Sequence, residues 1–518
     1  MGQFSLALKG YNCYNRKRGD YMMDYLTRFH EILMKQKAYI YMLQLTGWDS
    51  QTEAPRDSFP RRAQMIGIIS GELFRLSTSK EFQEVVYGLD QKKDELDDLA
   101  RREVKKAKKE LDKIIKIPEA EFVAYQELLQ MAQRTWEDAK ADSDYPAFSD
   151  TLAKIIGYQK KFVAYMGLDE HPYNVLLDDY EEGMKMEDYD RFFSTLKRDL
   201  VPFVKQILAV KDKTNLAFLE KKYDVAKQKD FCEYLVDVLA FNRNRGLMKK
   251  SVHPFTWNTS PEDVRFTTRY HEDLLFSSIF SVIHELGHAT YEQQIDSKWN
   301  DTMLTNGTSM GIHESQSRFY ENILGRSREF WEVNYPKLQS LFPEQLKDVS
   351  LDQIHKGVNK VEASLIRVEA DELTYPLHIM LRYEIERMLM TGEADVNNLP
   401  TLWNDKMEEY LGIRPKNDAE GVLQDVHWSS GLFGYFPTYA LGSAYAAQIY
   451  YTMEKAFAVE KAVKNNDIKK INAWLKDKIH QYGSSKSPKE ILLAVTGEPF
   501  NPEYYIRYLK AKYTQLYL

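Results

Sequence analysis

The chain has 518 residues, 43% of them hydrophobic and 28% charged, enough for a substantial core under a charged surface. A formal charge of −7 with no basic stripe of interleaved aromatics argues against a nucleic-acid footprint. No apolar run long enough to cross a membrane and no signal-peptide core is visible, so neither a membrane span nor secretion has support. The two cysteines, Cys13 and Cys232, make no disulfide framework and fit a reduced, cytoplasmic protein. Phosphate-loop and dinucleotide fingerprints are both missing. Length alone suggests about three or four domains. Helical periodicity nevertheless persists almost throughout, with no Pro/Gly/Ser linker, which predicts one large, mainly α body with two lobes and a deep groove.

In chain order, Leu89–Ile117 reads as a lysine-rich helix. Its apolar stripe is Leu96, Leu99, Val104, Ala107, Leu111 and Ile114, and Lys105, Lys106, Lys108 and Lys109 form a solvated face with Glu103 and Glu110. Pro118 and Glu119 begin another helix, running through Phe122, Leu128 and Met131 to Trp136. The alternation in Asp263-Val264-Arg265-Phe266-Thr267 predicts a short strand, part of a small antiparallel element. The most informative stretch follows, Ile283-His284-Glu285-Leu286-Gly287-His288-Ala289. On a helix, His284 and His288 share one face and can bind one metal ion, while Glu285 sits one position round, within reach of a water. The flanking residues are apolar, and burying these polar groups without partners would cost roughly 2–7 kcal/mol each.

Glu314, in Gly311-Ile312-His313-Glu314-Ser315-Gln316, lies 26 residues after His288. That spacing closes one helix, crosses a loop rich in Asn, Gly, Thr and Ser, and starts a second helix alongside. Two histidines and one carboxylate leave a fourth zinc position open, the arrangement of a catalytic rather than a structural site. His313 reads as a packing residue or as a support for the ligands. Ser429 and Ser430 near His427 lack the partner acid and nucleophile elbow of a serine hydrolase.

Taken with further blocks, the sequence resembles the M32 metallocarboxypeptidases, the thermostable carboxypeptidase group related in fold to neurolysin-like and angiotensin-converting-enzyme-like peptidases. The blocks are Trp48-Asp49-Ser50-Gln51-Thr52-Glu53-Ala54-Pro55, His253-Pro254-Phe255, Asp263–Thr267, the His284–His288 segment, His313–Gln316, Ile366-Arg367-Val368-Glu369-Ala370-Asp371 and the run from Gly421 to Tyr439. The resemblance extends from about residue 25 to the C-terminus. Residues 1–21 then read as an N-terminal extension and 22–518 as a single catalytic domain, its N-terminal helices forming a lid by analogy.

The resemblance implies a zinc enzyme, with cobalt or another divalent ion able to replace zinc at His284, His288 and Glu314. A zinc-activated water would attack the last peptide bond with Glu285 as general base. By the same resemblance, His427 and Tyr435 stabilise the oxyanion, in a block whose Gly431, Gly434 and Gly442 fit a loop close to substrate. The substrate's C-terminal carboxylate calls for a guanidinium fork. Arg367 is the resemblance's choice and Arg265 the competitor, with Asp371 placed to orient Arg367 or a zinc-binding histidine. Peptides with a free C-terminus, broad specificity, poor handling of C-terminal proline and a homodimer complete the implied picture. An endo- or dipeptidyl-peptidase and a non-catalytic helical peptide-binding protein are the alternatives.

Overall fold

A computed structural model describes residues 19–210 and 214–518. Cys13 and most of the expected 1–21 extension lie outside the described residues. Among the described residues helices dominate, joined by one three-stranded sheet. The chain divides into two compact units.

The smaller unit comprises residues through Thr46, Pro55–Ile115 and Asp301–Met303. Its core is built where helical spacing brings apolar side chains to one face. Phe29, Ile32 and Leu33 come from helix Gly19–Thr52; Phe82, Val85, Val86 and Leu89 from Lys80–Gln91; Val104, Ala107 and Leu111 from Asp98–Ile115. Ser79 caps the second of these, its side chain accepting from the Phe82 N–H. The expected helix Leu89–Ile117 is in fact broken. One helix ends at Gln91 and the next begins at Asp98, so Leu99 falls off the stripe and is exposed. Glu103 is not on a solvated face either: it is buried and accepts from the Met303 N–H at 2.9 Å, while Lys106 Nζ donates to the Met303 carbonyl at 3.0 Å.

The larger unit comprises Gly47–Ala54, Lys116–Asn300 and Leu304–Leu518. Its helix Glu119–Asp142 begins where expected, but Met131 is exposed. Strands β1 (Gly246–Lys250), β2 (Thr256–Ser260) and β3 (Asp263–Thr268) form a sheet in the order β1-β3-β2. The expected antiparallel element is a mixed sheet: β2 pairs antiparallel with β3, but β1 pairs parallel with it. The two-residue turn after Ser260 folds β3 back on β2, and β1, which runs opposite to β2, docks on the other edge of β3. Alternation along β3 sends Val264 and Phe266 inward and leaves Arg265 part-exposed.

Helix Leu275–Gln294 carries Ile279, Val282, Ile283, Leu286 and Ala289 at helical spacing, all buried. Helix Met310–Arg318 starts at Ser309, whose side chain accepts from the Ile312 N–H, and runs on through a π-helical turn, Phe319–Leu324. Gly287 lets these two helices meet, since a Cβ there would lie 2.6 Å from the Gln316 carbonyl oxygen and the Ser317 Cα. Gly442 does the same from the opposite neighbour. It is a residue of helix Pro437–Ala456, not of a loop as expected, and a Cβ there would meet the Glu314 side chain at 2.5 Å.

Candidate active site

His284 and His288 project from helix Leu275–Gln294 towards Glu314 on helix Met310–Arg318. Glu314 Oε2 lies 3.8 Å from His284 Nε2 and 3.5 Å from His288 Nε2. One donor atom from each residue falls within 4.8 Å of the others, and this is the one such His/Cys/Asp/Glu group among the described residues. Ligands about 2.0–2.2 Å from a tetrahedral ion stand roughly 3.4 Å from one another, so the observed spacings need little adjustment.

The outer nitrogens of both rings are already engaged. His284 Nδ1 is 2.9 Å from Glu321 Oε2, and because a carboxylate can only accept, Nδ1 carries the proton. His288 Nδ1 lies 2.5 Å from His313 Nδ1, whose Nε2 is 2.7 Å from Glu292 Oε1. The proton order that satisfies this chain runs from His288 through His313 to Glu292. Both Nε2 lone pairs are thereby turned towards Glu314 Oε2, and three electron-pair donors converge on a point that a cation satisfies. The residues fit a divalent metal. Burial works against charge on His284, but Glu314 and Glu321 outweigh it and raise its pKa, the same field that attracts a cation. Burial lowers His288 to about 3. It opposes the charge of Glu314 too, yet Arg318, His284 and His288 overcome it and hold that carboxyl below the usual range.

Glu285 is buried beside this cluster, and its Oε2 accepts from Thr256 Oγ1 at 2.6 Å. Burial raises its pKa above that of an ordinary glutamate. Two residues along β2, Asn258 donates to Glu292 Oε2 at 2.9 Å, so one strand face steadies both the Glu285 carboxylate and the far end of the histidine chain.

His427 and Tyr435 lie together, their ring centres 5.6 Å apart. Tyr435 also packs edge-on against Tyr439 at 5.2 Å and Tyr180 at 5.2 Å. Burial lowers His427 to about 4, so its ring is neutral at physiological pH. The segment carrying both residues is held by Glu386, which accepts from Trp428 Nε1 at 2.9 Å, the Gly434 N–H at 2.8 Å and the Tyr173 hydroxyl at 2.8 Å.

Arg367 belongs to the same cluster, its guanidinium 5.4 Å from the centre of the Tyr439 ring and 5.7 Å from that of Phe436. Its Nε donates to Asp425 Oδ1 at 2.9 Å and its Nη1 to the Tyr375 hydroxyl at 3.2 Å. Arg382 grips the other Asp425 oxygen with Nε at 2.7 Å. Arg265 is elsewhere, paired through Nε and Nη2 with Asp263 at 2.7 Å for each bond and lying 5.7 Å from the Trp48 ring. The expectation for Asp371 is corrected: its carboxylate accepts from the backbone of Glu362, Leu373 and Thr374, a turn-building role, and the acid beside Arg367 is Asp425.

Sequence reasoning passed over Arg318, Glu321, Asp425 and Thr256. The first two were readable, because Glu314, Arg318 and Glu321 follow one another at helical spacing. Asp425 sat inside a block already singled out. Thr256 gave no signal, since a strand threonine becomes a partner of Glu285 only through tertiary packing.

Residues 28–513 match the family described as carboxypeptidase Taq (M32) metallopeptidase. Carboxypeptidase 1 of Bacillus subtilis (strain 168) is 43% identical over 495 residues, covering 95% of this chain and 99% of the relative. The crystal structure of the M32 carboxypeptidase from Deinococcus radiodurans R1 superposes with a TM-score of 0.91 at 30% identity, covering 95% of this chain and 99% of that one. A structure of Pyrococcus furiosus carboxypeptidase gives a TM-score of 0.88 at 35% identity over 96% of this chain and 99% of that one. Converging metal-binding side chains, a matching fold and near end-to-end similarity give one conclusion: the chain belongs to the carboxypeptidase Taq (M32) family and is a metallocarboxypeptidase.

Proposed function

We propose that this metallocarboxypeptidase removes single residues from the free C-terminus of peptides of broad sequence, using zinc held by His284, His288 and Glu314. The observation that carries the reading is the convergence of those three donors while both ring Nδ1 atoms are engaged elsewhere. Two imidazoles and one carboxylate suit zinc, and cobalt accepts the same set. When bound, the cation supplies a Lewis acid that polarises the scissile carbonyl and makes water a nucleophile at neutral pH. Glu285 takes the proton from the attacking water and delivers it to the leaving amine. Tyr435 and His427 donate hydrogen bonds to the oxyanion that develops on the scissile carbonyl.

Arg367 binds the substrate's C-terminal carboxylate. Its place in the aromatic cluster of Tyr435 and His427 favours it over Arg265, which packs beside Trp48. The family match runs through both compact units, which supports reading 22–518 as one catalytic domain.

The enzyme acts as a homodimer in the cytoplasm. Helix Phe59–Ser77 buries none of its residues and exposes Phe59, Ile68 and Phe74, apolar side chains that a second copy would cover. Cys232 is fully buried, with its thiol pushed up to about 12, and needs no oxidising compartment. No helix among the described residues is long and apolar enough to cross a membrane.

Mass spectrometry of short peptides incubated with the zinc-loaded protein tests the reaction: stepwise C-terminal shortening is expected, and internal cleavage or intact peptides overturn it. Glu285→Ala should keep its zinc and lose turnover.

A further inference from the structure

Arg318 lies one helical turn beyond Glu314, with its side chain 17% exposed. Its Nε donates to Glu314 Oε1 at 2.6 Å, and its Nη1 to Glu321 Oε2 at 3.1 Å. The second of those oxygens is the one that receives His284 Nδ1. Glu321's other oxygen is taken by Arg326 Nη2 at 3.0 Å. The Arg318 guanidinium carbon lies over the Tyr375 ring, 4.9 Å from its centre. The hydroxyl of that same tyrosine accepts from Arg367 Nη1 at 3.2 Å.

These contacts have a direct consequence for coordination. A carboxylate can offer a cation one oxygen or both. With Oε1 drawn onto Arg318, only Oε2 of Glu314 remains facing the two histidine Nε2 atoms. The guanidinium also lies between two buried carboxylates, Glu314 and Glu321, which would otherwise repel each other. The π-helical turn after Arg318 helps to make this possible, because Glu321 falls within it and still meets both His284 and Arg318.

We propose that Arg318 is a positioning residue that holds Glu314 to one-oxygen ligation and, across the face of Tyr375, ties the metal ligands to Arg367. The proposal rests on the metal-site reading above and extends it to the carboxylate-binding end of the site. A lysine cannot replace this residue: a point charge on a flexible stem cannot fork between Glu314 and Glu321 and stack on Tyr375 at the same time.

The test uses full-length, chelator-stripped protein titrated with Zn²⁺ against a chromophoric competitor, alongside thermal melts and kinetics at saturating zinc. His284→Ala should abolish the tight one-equivalent site, which identifies the site being read. Arg318→Lys and Arg318→Met should each weaken zinc about tenfold or more, the usual consequence of losing a partner that orients a ligand. Tyr375→Phe should leave zinc affinity within about twofold but raise KM for N-acylated dipeptides about fivefold, as loss of one hydrogen bond predicts. A merely structural role would lower the melting temperature of the Arg318 variants and leave zinc affinity alone. Cooperatively melting Arg318 variants with wild-type zinc affinity therefore overturn the proposal, even when His284→Ala behaves as expected. If neither Arg318 variant folds, Tyr375→Phe decides, and an unchanged KM overturns the link. Zinc binding that is indifferent to His284→Ala overturns the metal-site reading and this proposal with it.

Discussion

Buried carboxylates in the larger unit are satisfied in two opposite ways. Glu314 and Glu321 face guanidinium groups, Arg318 on both and Arg326 on Glu321. Burial opposes their charge, but those cations outweigh it and hold both carboxyls below the usual range. Glu386 and Glu181 receive their hydrogen bonds from neutral donors instead. For Glu386 these are Tyr173, Trp428 and the Gly434 N–H; for Glu181 they include Tyr445 and the Gly311 N–H. Burial then dominates, and each is raised to about 7. All four are buried, Glu181 and Glu386 completely and Glu314 and Glu321 with 8% exposed, and the direction of the shift follows the charge of the partner. The proposed metal side keeps its carboxylates ionised, whereas the carboxylates that hold the neighbouring elements sit close to their titration point.

The largest disturbance should come from unpairing the charged region. Glu314→Ala removes a proposed ligand and leaves Arg318 with Glu321 as its remaining carboxylate partner, so about 1.5–3 kcal/mol of stability is expected to go with the metal. Thermal melts and metal analysis check this, and a loss of metal at unchanged stability would mean that Arg318 does not depend on Glu314. On the neutral side the chemistry should suffer more than the fold. Tyr435→Phe is expected to lower kcat by about 10²–10³ while the melting temperature holds. An effect confined to KM would move Tyr435 from oxyanion stabilisation to substrate binding.

The comparison is sharpest in its pH dependence. The pKa of Glu386 in the folded chain, about 7, lies above its ordinary value of 4.5. The stability linked to this group is therefore complete below about pH 4.5 and falls as pH rises through 7. Glu386→Gln has no such proton to lose. Wild type should fall behind the variant between pH 5 and 8 by up to about 3 kcal/mol, read as diverging melting temperatures. Parallel curves would place Glu386 with the permanently charged group. The smallest change is expected from Thr256→Val, which deletes one hydrogen bond to Glu285 and should lower kcat about fivefold without loss of zinc.

Much of this protein can be read along the chain. Helical periodicity gave a mainly α fold, and His284, Glu285 and His288 declared their geometry because a helix places residues four apart on one face whatever surrounds it. Glu314 needed only the further inference of a loop and a second helix. Local spacing failed where an element was interrupted or a partner was distant. The break between Gln91 and Asp98 turned Leu99 outward, and the parallel pairing of β1 with β3 depends on which sheet edge β1 docks against.

Tertiary structure alone decided that Asp425 rather than Asp371 serves Arg367, that Thr256 steadies Glu285, and that Gly442 gives Glu314 room. The physical reason is one of range. Backbone geometry fixes which side chains of one segment share a face. Which carboxylate meets which guanidinium is settled by packing segments that lie far apart in the chain, and no periodicity in the sequence records it.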